Sequence, residues 1–188
     1  MAEETTPQEE TRETDDAVVE TAARVLPDDP ILADLAEAFA NVEFTSFEPF
    51  VGPRQDTAHV SRDEVVPFVE AVKDAGFETF IDVCSVDHLN RDPRFDVVIN
   101  LLSMQHTKRL LIKVGVPGDD ATVPSITSIY PGANFYEREV WDLMGIAFEG
   151  HPDLTRIVLP DEWVGHPLRK DYSVGSVPVQ FKGSHKSS

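Results

Sequence analysis

Two copies of the tripeptide Gly-His-Pro stand in the C-terminal third of the chain, at Gly150-His151-Pro152 and Gly165-His166-Pro167, with Asp153 and Asp171 close by. Imidazole and carboxylate are both zinc ligands, so metal chemistry is the first possibility to weigh. A zinc site needs three or four ligands at suitable geometry, however, and His59, His88 and His106 are scattered through other segments without ligand spacing. Histidine before proline is better read as a turn residue whose ring hydrogen-bonds backbone left unpaired by irregular structure. Glu137, Glu139 and Asp142 offer carboxylates for general acid and base work, yet acids early in a helix are also what its dipole favours. There is no GxGxxG or P-loop, no GxSxG elbow and no HExxH. The single cysteine, Cys84, supplies neither a CxxC pair nor the four thiolates of an iron–sulfur cluster. We therefore expect no catalytic, cofactor-binding or metal-binding residue in this chain.

The elements that carry these residues are a helix and an arm. Asn134 is placed to cap a helix over 134–145, Glu137 to complete a capping box, and Gly145 to end it in the left-handed conformation. Tyr136, Val140, Leu143 and Met144 fall on one stripe that faces the core. Arg138 and Asp142 are expected on the opposite side, four residues apart and able to pair, with Trp141 on the shoulder between. That tryptophan is equally suited to a protein contact and to covering the rim of its own core. Beyond the helix, Pro152, Pro160 and Pro167 with Gly150 and Gly165 forbid a long helix or a central strand. The arm nevertheless keeps Phe148, Leu154, Ile157, Val158, Leu159, Trp163 and Leu168, so it needs a surface to lie on, and its length favours a partner as well as its own domain.

Upstream, residues 1–27 read as a disordered acidic tail, with too little apolar surface to offset the entropy of ordering. Asp29-Pro30 opens a short amphipathic helix to about Ala40 through Ile31, Leu35 and Phe39. Two extended segments, Phe44 to Val51 and Thr57 to Val60, flank a Gly52-Pro53 turn signal. A second helix buries Val65, Phe68, Val69 and Val72, starts near Asp63 or Glu64 because of Pro67, and stops at Gly76. Thr79–Val86, Phe95–Leu102 and Arg109–Val116 are strand candidates, and the short link between the last two requires an antiparallel hairpin. The expected fold class is α+β: a mostly antiparallel sheet of about five strands packed with helices over 28–145, then an extended arm over 146–188.

The formal charge of −18 is unevenly spread, with ten acids against two bases in residues 1–30 and twenty-four against fourteen in the remaining 158, so the folded part is acidic too. Such a balance argues against nucleic acid and against direct adhesion to anionic lipid, and leaves proteins as the expected partners. No apolar run reaches the roughly 18 residues a membrane span needs, so no transmembrane segment is expected.

One further pattern is long and specific. Glu137-Arg138-Glu139, Trp141-Asp142, Gly145-Ile146, Phe148, Gly150-His151-Pro152-Asp153-Leu154, Arg156-Ile157 and Gly165-His166-Pro167-Leu168-Arg169-Lys170-Asp171-Tyr172 together resemble the signature of the 30 kDa subunit family of NADH:quinone oxidoreductase (respiratory complex I), whose members are its C subunits. A weaker similarity reaches back to about residue 41, through Asp87 and Asn134. Met144 stands where an aromatic is common and Ser173 where proline often follows the tyrosine. The resemblance implies an α+β fold and a cofactor-free scaffold in the peripheral arm, with FMN, iron–sulfur clusters and quinone held by other subunits. It further implies packing against the D and B subunits, a peripheral place on the cytoplasmic face of the cell membrane, and signature residues that meet partners. The same domain type occurs in membrane-bound hydrogenases and deazaflavin-dependent dehydrogenases, which are the alternative assemblies.

Overall fold

The computed structural model describes residues 29–48, 50 and 54–173. The acidic N-terminal segment, the Gly52-Pro53 turn and the end of the C-terminal arm fall outside the described residues. The first helix, α1 (Pro30–Ala38), starts as its sequence requires: Asp29 Oδ1 accepts from the N–H groups of Ile31 and Leu32 at 2.9 and 3.3 Å, and Pro30 occupies the first turn. Leu32 and Leu35 are buried, and Phe39, just past the end, meets Phe68 edge-on at 5.2 Å.

Strands β1 (Glu43–Phe47) and β2 (Gln55–Val60) pair antiparallel. After a single 3-10 turn at Arg62–Glu64, α2 (Val65–Asp74) buries the expected stripe, Val65, Phe68, Val69 and Val72, each fully. Complete burial of one such side chain contributes roughly 1.5–3 kcal/mol. Gly76, at φ +97°, provides the left-handed exit that a side chain would resist. Strands β3 (Thr79–Asp87), β4 (Phe95–Ser103) and β5 (Lys108–Val116) follow, with the β4–β5 hairpin as expected.

The five strands lie in the order β1-β2-β5-β4-β3. Neighbours are antiparallel except β2 and β5, which run parallel, with α2, β3 and β4 in the long connection that a parallel pair needs. The α+β class with a mainly antiparallel sheet is therefore what forms. One face of the sheet, including Val60, Phe95, Leu101, Leu110 and Ile112, is sealed by the helices in one continuous core.

A small unit completes the fold. Strand β6 (Thr122–Pro124), helix α3 (Ala133–Met144) and strand β7 (Ala147–Glu149) form a crossover in which β6 and β7 pair parallel. The segment from Ile146 thus begins with a paired strand, and irregular chain starts only at Gly150. Helix α3 lies along β3, the outer strand of the large sheet.

Candidate functional site: the clasp between α3 and the arm

The start of α3 departs from expectation. Gly132, not Asn134, occupies the cap position, and no side chain caps the helix. Glu137 points inward instead of back to the cap. It is fully buried, with Oε2 accepting from Ser125 Oγ at 2.7 Å and Oε1 from the Ile126 N–H at 2.8 Å. Burial pushes its carboxyl above the usual range, against the opposing pull of those two donors. Glu137 therefore ties the helix to the loop after β6.

Asp142 and Arg138 were expected to pair on an outward face, and they do not. Asp142 is wholly buried, and its carboxylate is engaged by the arm: Arg156 pairs with Oδ1, while Oδ2 accepts from the successive N–H groups of Ile157, Val158 and Leu159 at 3.1, 2.9 and 2.9 Å. Burial alone would raise its pKa, but the three N–H donors and the guanidinium outweigh it and hold the group ionised below its ordinary range. Arg138 donates to the carbonyls of Thr155 and Arg156 and to Thr155 Oγ1 at 2.9–3.1 Å. Arg156 also donates to the Trp163 carbonyl at 2.9 Å and stands 5.7 Å over the half-buried Trp141 ring. The physical reason is reach: the arm folds back onto α3 and brings better partners to each charge than they offer one another.

The second Gly-His-Pro closes the other end of the helix. The last carbonyls of any helix lack partners within it, and here the arm supplies them. His166 Nδ1 donates to the Asp142 carbonyl at 3.0 Å, the Leu168 N–H to that of Leu143 at 3.1 Å, and Arg169 to those of Met144 and Gly145 at 2.6 and 3.1 Å. A cation beside carbonyls at this end also suits the helix dipole. Gly145, at φ +70°, sits directly beneath: a Cβ there would come within 2.5 Å of His166 Nε2 and 2.8 Å of Arg169 Nη2.

The first Gly-His-Pro makes a turn. His151 Nδ1 accepts from the Asp153 N–H at 3.0 Å, so the proton rests on Nε2, which donates to the Asn134 carbonyl at 3.1 Å. Both histidines thus bond irregular or helix-terminal backbone, as expected of them. Among the described residues, no group of three or more His, Cys, Asp or Glu side chains could hold a metal ion.

Farther on, the arm is fastened to the β3–β4 hairpin. Asp87, buried at the end of β3, accepts from Arg94 at 2.9 and 2.8 Å and from the Lys170 N–H at 2.8 Å, while Arg94 reaches Asp171 at 2.9 Å. The guanidinium holds the Asp87 carboxyl down at about 2 and the Asp171 carboxyl below its usual range. Tyr172 packs on Gly165, where a Cβ would meet the ring at 2.7 Å, and its hydroxyl donates to the Val164 carbonyl at 3.3 Å.

Of the signature residues, Arg138, Trp141, Asp142, Arg156, His166 and Arg169 come together in one clasp, and Lys170 and Asp171 in a second. Gly150, His151 and Pro152 form the turn before them. Glu139 is left exposed, outside both clasps. Arg94, Ser125 and Thr155 escaped notice in the sequence, since the carboxylates and guanidinium they meet lie 7 to 77 residues away and no local pattern marks them.

Fold and clasp define the class first: an α+β domain that holds its own extended arm through buried carboxylates of its third helix and outer strand. The model of the family described as respiratory-chain NADH dehydrogenase, 30 Kd subunit, matches residues 58–177, and the chain belongs to that family. It is 43% identical over 128 residues to the NADH-quinone oxidoreductase C subunit of Roseiflexus castenholzii, covering 66% of this chain and 74% of that one. The corresponding protein of Mycolicibacterium gilvum is 40% identical over 162 residues, covering 83% and 72%. Among solved structures, a trypsin-resistant fragment (1-134) of Nqo5 superposes with TM-score 0.56 at 32% identity, over 64% of this chain and 95% of that fragment. A chain of an archaeal membrane-bound sulfane sulfur reductase shares the fold, with TM-score 0.61 at 23% identity over 77% of this chain and 84% of that one.

Proposed function

We propose that this chain is an accessory subunit of the peripheral arm of a proton-translocating NADH:quinone oxidoreductase, binding no FMN, iron–sulfur cluster or quinone itself. It supports electron transfer by scaffolding the D and B subunits, which form the quinone site, at the cytoplasmic face of the membrane. The observation that carries this reading is the use of the family signature: its charged residues fasten an arm to a domain, which fixes a shape for neighbours to pack on. No helix among the described residues is long and apolar enough to cross a membrane, in keeping with a peripheral position.

The test is purification of the native assembly through a tag on this chain. NADH:quinone oxidoreductase activity should co-purify, with the D and B subunits cross-linking to the tagged chain, while the isolated protein is colourless and inactive. Recovery only as a free monomer from detergent extracts would refute the reading. Activity with hydrogen or a reduced deazaflavin in place of NADH would reassign the chain to an alternative assembly.

A further inference from the structure

The large sheet ends at β3, and among the described residues no strand lies on that strand's far side. Asp82–Asp87 run in unbroken register with β4 after one bulge between Phe80 and Asp82. Among the described residues, no backbone hydrogen bond joins Thr79–Asp87 to any segment other than β4. Such an edge is a ready template for another extended chain unless something covers it.

Beside the edge runs a groove of about 220 Å³, walled by Asp82–Ser85 on one side and by Tyr136, Val140, Leu143 and Leu168 on the other. Leu168 is 58% exposed. A second groove of about 390 Å³ shares Tyr136 and Glu139 with the first and continues over Phe135, Ile157 and Val158, which are also exposed. The charges along this surface have one sign. Asp82 lines the first groove, Glu139 lines both, and no Lys or Arg lines either. By contrast, Glu137, Asp142 and Asp171 each have a partner within the chain. The side-chain carboxylates of Asp82 and Glu139 have no hydrogen bond or ion pair among the described residues.

An open strand edge against a helix, apolar between and acidic along its length, is the geometry of strand addition, in which backbone bonds give affinity and the groove selects side chains. We propose that this groove takes an extended segment of a neighbouring protein of the assembly. The segment pairs with the free edge of β3, sets an apolar side chain against Tyr136, Leu143 and Leu168, and presents a Lys or Arg to Asp82 and Glu139. The inference rests on the chain being part of such an assembly, and it adds the contact surface and the chemistry of the contacting segment.

Amide hydrogen exchange of the full-length chain, isolated and in the purified assembly, tests it directly. Amides within Asp82–Val86 should exchange at least about tenfold more slowly in the assembly. Glu139→Lys and Asp82→Lys, checked for unchanged urea midpoints as isolated chains, should each lower incorporation into the assembly by about tenfold. Phe47→Asp, at an exposed apolar position on the opposite edge strand, should leave incorporation unchanged. If either lysine variant fails to fold, the exchange comparison on the unaltered chain decides alone. An intact, active assembly with β3 amides unprotected overturns the inference and leaves the proposed function standing. Failure of the unaltered chain to enter any assembly overturns both. Protection already present in the isolated chain overturns the partner assignment: if concentration-dependent, a second copy is the occupant, and if abolished by deleting 174–188, the chain's own terminus is.

Discussion

At the scale of single residues, the two buried carboxylates of α3 make opposite predictions. Asp142 is held ionised by Arg156 and three backbone N–H groups, so Asp142→Asn leaves a buried guanidinium short of its counter-charge. Breaking a buried pair from one side costs roughly 3–5 kcal/mol, and with Arg156 still slightly open to solvent we expect about 2–4 kcal/mol in urea unfolding at pH 7. A loss below 1 kcal/mol would show that the arm is not held through this group. Glu137 is buried without a cation in contact, and burial raises its pKa. For an acid raised in the folded state, stability falls as pH rises through its ordinary range. Glu137→Gln keeps an acceptor for Ile126 N–H and a donor for Ser125 Oγ while removing the buried charge, so at pH 7 it should be neutral or stabilising. A loss of 2 kcal/mol or more by the same measurement would mean that the charge itself is needed.

At the scale of elements, the end of α3 and the arm form a single unit. Gly145→Ala forces a left-handed residue to carry a Cβ and drives that Cβ into His166 and Arg169. We expect about 1–3 kcal/mol of destabilisation and faster proteolysis within 150–172, and unchanged cleavage there would argue that the arm's hold does not depend on this junction. The parts legible in the sequence were those fixed by near neighbours. Asp29-Pro30 announced α1, the four-residue apolar stripe and Gly76 announced α2, and alternation announced β4 and β5. The parallel meeting of β2 with β5 was not legible, since residues 56 and 110 have no sequence signal in common. Nor was the fate of Glu137 and Asp142: position on a helix gives a direction, but the arm and the β6 loop decide whether that direction leads to water. The histidine turns were legible because proline restricts the backbone locally, whichever surface the arm finds.

At the scale of the whole molecule, the clasp carries its own reporter and its own weak point. The chain has two tryptophans, Trp141 and Trp163, and Arg156 bridges them by standing over one ring and donating to the carbonyl of the other residue. The carboxylates that fasten the arm, Asp87, Asp142 and Asp171, are all shifted below their ordinary range, Asp87 to about 2. A carboxylate depressed in the folded state adds stability that is complete above its unfolded pKa and is lost as pH falls through the folded value. The buried Asp87, moving from 3.8 to about 2, accounts for about 2 kcal/mol at 1.36 kcal/mol per pKa unit. That contribution disappears between about pH 4 and pH 2, while the apolar core of the sheet, α1 and α2 contains no such group. Acidification of the isolated chain at low concentration, past its isoelectric point near 4.5, should therefore shift tryptophan fluorescence to the red before far-ultraviolet circular dichroism reports loss of the sheet and helices. Coincident transitions by the two probes would show that arm and core unfold as one. In that case the arm is integral to the domain's stability, and its release could not serve as a separate step when the chain meets its partners.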